Sequence, residues 1–288
     1  MKTIRQILCP VDLETASHQA VRYAMAMAST CEARLTVCHC LNPMDYQDRG
    51  KREAAEDQLK ALVQSSMPEE GEAWLDWEAV TIDGDPIIGV IAEARRGGAD
   101  LIILESRRRP LGAAIFGSTA EAICRDAVCP VLVLHREERE WQGEREGGLA
   151  PRRILAAQDF SLAGDAALAF ATVLAAEHQA ELHLLHVVPE NYPETPPGFE
   201  FIEQQLEEMV SEEARLWCTV KPVVRAGRPA EEILSMAEEG EMDLICLGRH
   251  RGEGEWRELF GTNTDFVLRQ AKCPVLVAPP RLQPAARE

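Results

Sequence analysis

The sequence predicts two successive α/β domains, each built on an open parallel sheet with helices on both faces. The first observation is an internal repeat, because Cys129–Val133 returns as Cys273–Val277, 144 residues later. Asp100–Leu104 returns as Asp243–Leu247 at nearly the same offset. A period of this length matches a whole domain rather than the short unit of a solenoid. The second observation is a strict alternation of strand and helix patterns in each half, which favours parallel pairing with right-handed crossovers.

In the first half, short apolar runs alternate with longer segments of helical periodicity. Gly84, Asp85 and Pro86 provide a turn, an N-cap and a first-turn proline for one of the helices. Leu101–Leu104 is short and wholly apolar, as a central strand covered on both faces would be. We predict strands near 4–11, 34–41, 73–82, 101–104 and 131–134, and helices near 17–31, 48–66, 86–96 and 118–126.

The second half repeats this order. We predict strands near 153–158, 181–188, 219–225, 244–247 and 275–278, and helices near 165–178, 199–216, 229–240 and 262–271. The segment between the halves is charged, contains Gly147 and Gly148 and nearly lacks aliphatic residues, which is typical of a linker. The predicted organisation is a first domain over 1–136, a linker over 137–150, a second domain over 151–281 and a tail over 282–288.

The composition limits the class of protein. The chain of 288 residues is 46% hydrophobic and 27% charged, which is typical of a soluble globular protein. It contains no apolar run long enough to cross a bilayer, and its start lacks the apolar block of a signal peptide. The net charge of −18 disfavours binding to nucleic acid phosphates. Nine scattered cysteines without a framework spacing indicate reduced thiols. We therefore expect a cytoplasmic protein with neither a membrane nor a nucleic acid as partner, and no structural metal.

The best candidate for a ligand site is the long loop that follows the fourth strand of the second half. In open α/β sheets, ligands bind beyond the carboxyl ends of the strands, where the strand order reverses. This loop opens on Gly248, carries cationic residues and ends with Gly261 at a helix start, where free N–H groups and the helix dipole favour an anion. The candidate phosphate-binding residues are Gly248, Arg249, His250, Arg251, Gly261, Thr262 and Asn263. A solvated loop with a threonine N-cap explains the same residues, so both interpretations stay open at this point.

The halves resemble two copies of the universal stress protein domain, and the doubled ending Cys129–Val133 and Cys273–Val277 is the most specific feature of this resemblance. Nucleotide-binding members of that family carry the pattern G-x2-G-x9-G-[ST] in the loop after the fourth strand. Here the pattern falls on Gly248, Arg251 and Gly261-Thr262, with the correct spacing but with arginine in place of the second glycine. Arg251 can either fill the space for a phosphate or neutralise one.

Two further segments of the second half resemble the family. Its members end the first strand in a Pro-x-Asp-x-Ser-like segment, whose Asp meets the adenosine, and Asp159 and Ser161 match that Asp and Ser. A valine near the end of the family's second strand backs the adenine, and Val187 occupies that position. The resemblance implies flavodoxin-like sheets with strand order 3-2-1-4-5. Sheets of this family pair through their last strands, so we expect the two domains to form a pseudo-dimer within one chain. A further homodimer of chains stays open.

The first half departs further from the family pattern. Glu105 and Arg108 replace the two leading glycines, and the loop is one residue short. A carboxylate repels a phosphate by about 1 kcal/mol at 4 Å in water, and by more where water is excluded. The degenerate equivalent site comprises Asp12, Glu105, Arg107, Arg108, Gly117 and Ser118.

The resemblance implies binding of an adenine nucleotide, ATP or AMP with or without Mg²⁺, in the second domain, with a regulatory or stress-signalling role. One alternative is a stress-related interaction module or scaffold that binds no nucleotide, and another is a slow ATPase. We assign no catalytic residue. His183 and His186, which lie beside the predicted adenine wall, are interpreted as hydrogen-bonded structural histidines.

Overall fold

The computed structural model describes residues 4–14, 18–45, 47–67, 75–106, 117–135, 141, 149–192, 198–250 and 262–280. The chain divides into two compact units, Met1–Ala150 and Pro151–Glu288. Within the described ranges, no helix combines the length and the apolarity that a bilayer crossing requires. The pairing of the two domains through their last strands stays a prediction.

The first unit contains one parallel sheet in the order β3-β2-β1-β4-β5. Its strands are β1 (Gln6–Pro10), β2 (Arg34–Leu41), β3 (Trp77–Asp83), β4 (Leu101–Ser106) and β5 (Val131–His135). Its helices are α1 (His18–Thr30), α2 (Arg49–Ser66), α3 (Pro86–Arg96) and α4 (Ser118–Asp126), with a short 3₁₀ turn at Pro43–Asp45. Leu101–Leu104 is buried, as the apolar run predicts. The predicted strand order is confirmed.

The second unit repeats this sheet in the order β8-β7-β6-β9-β10, again with parallel pairing. Its strands are β6 (Arg153–Ala157), β7 (Glu181–Val188), β8 (Thr219–Ala226), β9 (Leu244–Gly248) and β10 (Val275–Ala278). Its helices are α5 (Leu162–His178), α6 (Gly198–Glu208), α7 (Glu212–Arg215), α8 (Pro229–Glu239) and α9 (Thr262–Gln270). The chain leaves β6 toward β7 on one side and returns to β9 on the other, so a crevice opens at the carboxyl ends of β6 and β9.

Two helices of the second unit differ from the sequence prediction. The helix predicted over 199–216 is two helices, because Ser211 starts a new one by accepting a hydrogen bond from the Ala214 N–H at 3.3 Å. The Arg215 guanidinium donates to the carbonyl oxygens of Val210 and Glu207, and so provides hydrogen-bond donors to carbonyl groups at the end of α6. The other difference is at α5, which begins at Leu162 rather than near 165.

One residue of the segment predicted as linker is attached to the first unit. Trp141 is buried, and its ring centroid lies 4.7 Å from that of Tyr23 on α1. Its backbone N–H donates to the Tyr23 hydroxyl oxygen at 2.9 Å. This contact combines an aromatic pair with a satisfied polar group, so it holds position 141 against α1.

The last residue of α5, His178, is half-buried, and burial lowers its pKa from 6.5 to about 4. The negative end of the helix dipole favours the charged imidazole but offsets only part of this effect. Within the part of the chain that the structure describes, its Nε2 atom has no hydrogen-bond partner.

We expect the free energy of unfolding to decrease as the pH is lowered from 6.5 towards 4, because the unfolded chain then binds a proton that folded His178 does not. The contribution of this residue is on the order of 2 kcal/mol. Urea unfolding at several pH values measures it. His178→Gln should flatten the dependence between pH 6.5 and 5, whereas Glu177→Gln, a change at the exposed neighbouring position, should preserve it. Equal slopes in the wild type and His178→Gln would contradict the assignment.

Candidate functional site

The loop after β6 is shaped by the buried side chain of Gln158. Its Oε1 atom accepts from the Phe160 N–H at 2.8 Å, and its Nε2 atom donates to Asp165 Oδ1 at 3.1 Å. These bonds hold Phe160 at a φ of +59°, a left-handed conformation that bulky residues rarely adopt. The tight turn leaves Asp159, between these two residues, exposed at the carboxyl edge of the sheet.

The Asp159 carboxylate connects the two loops that border the crevice. Oδ1 accepts from the Ser161 N–H at 3.1 Å and from the Ser161 hydroxyl at 2.6 Å. Oδ2 lies 2.9 Å from Nε2 of His250, in the loop after β9. An ionised carboxylate only accepts hydrogen bonds, so this contact fits the form of His250 that has its proton on Nε2. Both side chains are about half exposed, at 52% for Asp159 and 45% for His250, so the contact faces solvent.

Gly248, the last residue of β9, packs directly against the first turn of α5. A Cβ atom at this position would lie 2.3 Å from the carbonyl carbon of Ala163 and 2.7 Å from the Gly164 nitrogen. These are backbone atoms, so the clash could be relieved only by moving the helix. Gly248 therefore has a packing role that is independent of any ligand.

The close approach of α5 involves a second glycine. A Cβ on Gly164 would lie 2.1 Å from Oε1 of Gln158 and 2.8 Å from Oδ1 of Asp159. The helix is capped by Ser161, whose hydroxyl accepts from the Gly164 N–H at 3.1 Å. Gln158 and Gly164 were missed by the sequence analysis, although a glycine in the first turn of a helix is a signal of close backbone approach.

The other predicted site residues of the second unit occupy different environments. Val187 is half-buried near the end of β7, and Asn263 is exposed in the first turn of α9, which begins at Thr262. Arg249 is buried, with 6% of its surface exposed, and its backbone N–H donates to the Ala278 carbonyl oxygen at 2.8 Å. Arg251 and Gly261 lie outside the described residues.

The two histidines on β7 are structural, as interpreted from the sequence. Nδ1 of His186 lies 2.7 Å from the carbonyl oxygen of Gln158, and its ring packs 4.8 Å from that of Phe160. The equivalent His39 in the first unit makes the same contact with the Val11 carbonyl oxygen at 3.0 Å. His183 contacts Oε2 of Glu181 at 3.3 Å, and burial lowers its pKa.

The corresponding edge of the first unit has a different character. Glu105 occupies the position of Gly248 and is half-buried in β4. The burial of Cys9 raises the pKa of its thiol to about 12, and the negative charge of Glu105 adds to this effect. Exposed Asp12 accepts a hydrogen bond from the Glu14 N–H at 3.0 Å. Gly117 precedes α4 as its N-cap and donates its N–H to the Ser106 hydroxyl at 3.4 Å.

Three residues complete the predicted equivalent site. Ser118, the first residue of α4, is exposed, and Arg107 and Arg108 lie outside the described residues. Glu105 places negative charge and side-chain volume where the second unit has neither, so this edge is less suited to an anion than its counterpart.

The fold and the site define a class of α/β protein with two duplicated open sheets, each with a crevice where the strand order reverses. The family model described as the universal stress protein family matches residues 3–135 and 151–279. The chain therefore belongs to the universal stress protein family and contains two of its domains in tandem.

Relatives of similar length support the tandem arrangement. A universal stress protein of Mycolicibacterium smegmatis is 25% identical, over 96% of this chain and 97% of that protein. A universal stress protein of Mycobacterium tuberculosis is 24% identical, over 94% of this chain and 95% of that protein. A solved universal stress protein from Archaeoglobus fulgidus superposes with a TM-score of 0.72 at 21% identity, over 96% of this chain and 98% of that one. This last likeness concerns the fold.

We expect Gly248→Ala to lower the free energy of unfolding by about 2 kcal/mol or more, because the added methyl group overlaps backbone atoms of α5. Urea unfolding followed by circular dichroism measures the change. The control is Gly50→Ala in α2, where a Cβ atom meets only Oδ1 of Asp48 at 3.4 Å. That variant should be neutral or up to about 1 kcal/mol more stable. If both variants unfold like the wild type, the packing role assigned to Gly248 is wrong.

Proposed function

We propose that the second domain binds an adenine nucleotide, ATP or AMP, and that binding has a regulatory role in a stress response. The observation that carries the proposal is the meeting of Asp159 and His250 at 2.9 Å, at the carboxyl edge of β6 and β9. This edge is where ligands bind in open α/β sheets. It contains both a hydrogen-bond acceptor for a sugar hydroxyl and a donor for a phosphate oxygen.

The order of these groups along the crevice suits the two ends of a nucleotide. In the proposed arrangement, Asp159 and Val187 hold the adenosine, as the family resemblance implies. The phosphates extend towards the start of α9 at Thr262, since the N–H groups and the dipole of a helix start favour negative charge. The loop between them matches the family pattern at Gly248 and Gly261-Thr262. We assign Arg251 the role of neutralising a phosphate, with Mg²⁺ as an optional companion of ATP.

We propose that the first domain serves as scaffold. Glu105 opposes a phosphate at the position where the second domain has Gly248. Pairing of the two domains through β5 and β10, and a cytoplasmic location, belong to the same proposal. The nine cysteines are free thiols, which supports a reducing compartment.

One alternative function has a specific observation in its favour. Gly248 is explained by the packing of α5, so its presence does not require a ligand. Together with the loss of glycine at Glu105, Arg108 and Arg251, this favours an interaction module that binds no nucleotide. Titration of the protein with ATP and AMP separates the two functions.

We expect ATP and AMP to release heat when titrated into wild-type protein that has been stripped by denaturation and refolding, with one nucleotide bound per chain. Gly261→Val should weaken binding at least about tenfold, because a side chain there obstructs approach to the main chain. The matched change in the first domain, Gly117→Val, should leave the affinity unchanged. Circular dichroism checks that both variants are folded.

The interaction module is favoured if no heat is observed and fresh preparations release no nucleotide on denaturation. Equal loss of affinity in both variants would contradict the assignment of the site to the second domain. Release of phosphate from ATP that disappears in Asp159→Asn would instead indicate a slow ATPase.

A further inference from the structure

The hydrogen bonds of Asp159 leave one carboxylate oxygen for the crevice. Oδ1 already accepts two hydrogen bonds from Ser161, at 3.1 Å and 2.6 Å. Oδ2 lies 2.9 Å from Nε2 of His250, close enough to accept a proton from it. The oxygen that a ligand hydroxyl would use is therefore already in contact with a side chain of the protein itself, which competes for it.

The contact between His250 and Asp159 is suited to displacement. Both side chains are about half exposed, and ion pairs at such positions are weak because water and salt screen them. Asp159, in contrast, is fixed by Ser161 and by the tight turn at Phe160. His250 lies two residues beyond β9, whereas Asp159 lies two residues before Ser161, the N-cap of α5, and is hydrogen-bonded to it. The histidine is thus the member of the pair that can move.

A bare nucleoside and a nucleotide differ in what they offer the displaced histidine. The hydroxyl groups of either ligand can donate to Oδ2 of Asp159 once His250 has left. Only a nucleotide also supplies an anionic oxygen to accept the Nε2 proton, so Asp159 and His250 then each have a charge-assisted hydrogen bond to the ligand. A nucleoside leaves the imidazole N–H to solvent, and its binding is opposed by the full strength of the internal contact.

We propose that His250 determines the specificity of this site for phosphorylated nucleosides over bare nucleosides. It occupies Asp159 in the free protein and transfers its hydrogen bond to a phosphate oxygen when a nucleotide binds. The inference rests on the proposed function of the second domain and adds to it the chemical feature that the site selects.

The experiment compares the dissociation constants of adenosine, AMP and ATP for the wild type and for His250→Ala. The variant should bind adenosine about three- to tenfold more tightly, because Asp159 is no longer occupied. It should bind AMP and ATP about three- to tenfold more weakly, because the acceptor on the ligand has lost its donor. The preference for AMP over adenosine should therefore fall at least about tenfold.

The control for loss of positive charge is Arg228→Ala, a change at an exposed guanidinium paired with Glu231. It should leave the preference for AMP over adenosine unchanged. If the affinities of adenosine and AMP fall together in His250→Ala, or if their ratio does not change, the assignment of His250 is wrong although the site binds nucleotides. If none of the three compounds binds to either protein, the proposed function fails and this inference fails with it.

A second measurement tests the contact without any ligand. Nitrogen-15 spectra of the imidazole should show His250 with its proton on Nε2 in the wild type, and a changed tautomer distribution in Asp159→Ala. Identical His250 spectra in the two proteins would overturn the proposal, because the histidine would then be independent of Asp159.

Discussion

The close packing of the first turn of α5 on the end of β9 is the constraint on which the candidate site depends. It requires a residue without a side chain at Gly248, because backbone atoms of Ala163 and Gly164 fill that space. The same approach brings the loop after β6 beside the loop after β9, and Asp159 then meets His250. A packing requirement thus creates the geometry of the crevice, and the polar groups at its edge follow from it.

The duplicated domains combine one fold with different residues at the carboxyl edge of the sheet. Both domains have the same strand order, and His39 and His186 anchor the loop after the first strand in the same way. Among the described residues, one difference lies at Glu105, which stands where the second domain has Gly248 and changes both the local charge and the space available. Membership of the universal stress protein family therefore does not assign a ligand site to each domain.

The sequence predicts the order of strands and helices along the chain and nearly all element bounds, because strands covered on both faces read as short apolar runs between clear turn signals. The order of the strands within each sheet follows instead from the resemblance to the universal stress protein family. The sequence pattern misses the break between α6 and α7, since buried Val210 continues the helical pattern while Ser211 caps a new helix. It places Asp159 and His250 in one site but does not predict their direct contact. That contact depends on the left-handed turn at Phe160, which tertiary packing determines.

The most direct test of the account is the amide nitrogen–proton spectrum of the whole chain with and without AMP. The account predicts shifts at residues 159–164 and 248–250, and none at residues 12–14 or 117–118. Shifts confined to the first domain would contradict the assignment of the site to the second. Perturbation at residues 12–14 equal to that at residues 159–164 would show that Glu105 does not exclude the ligand.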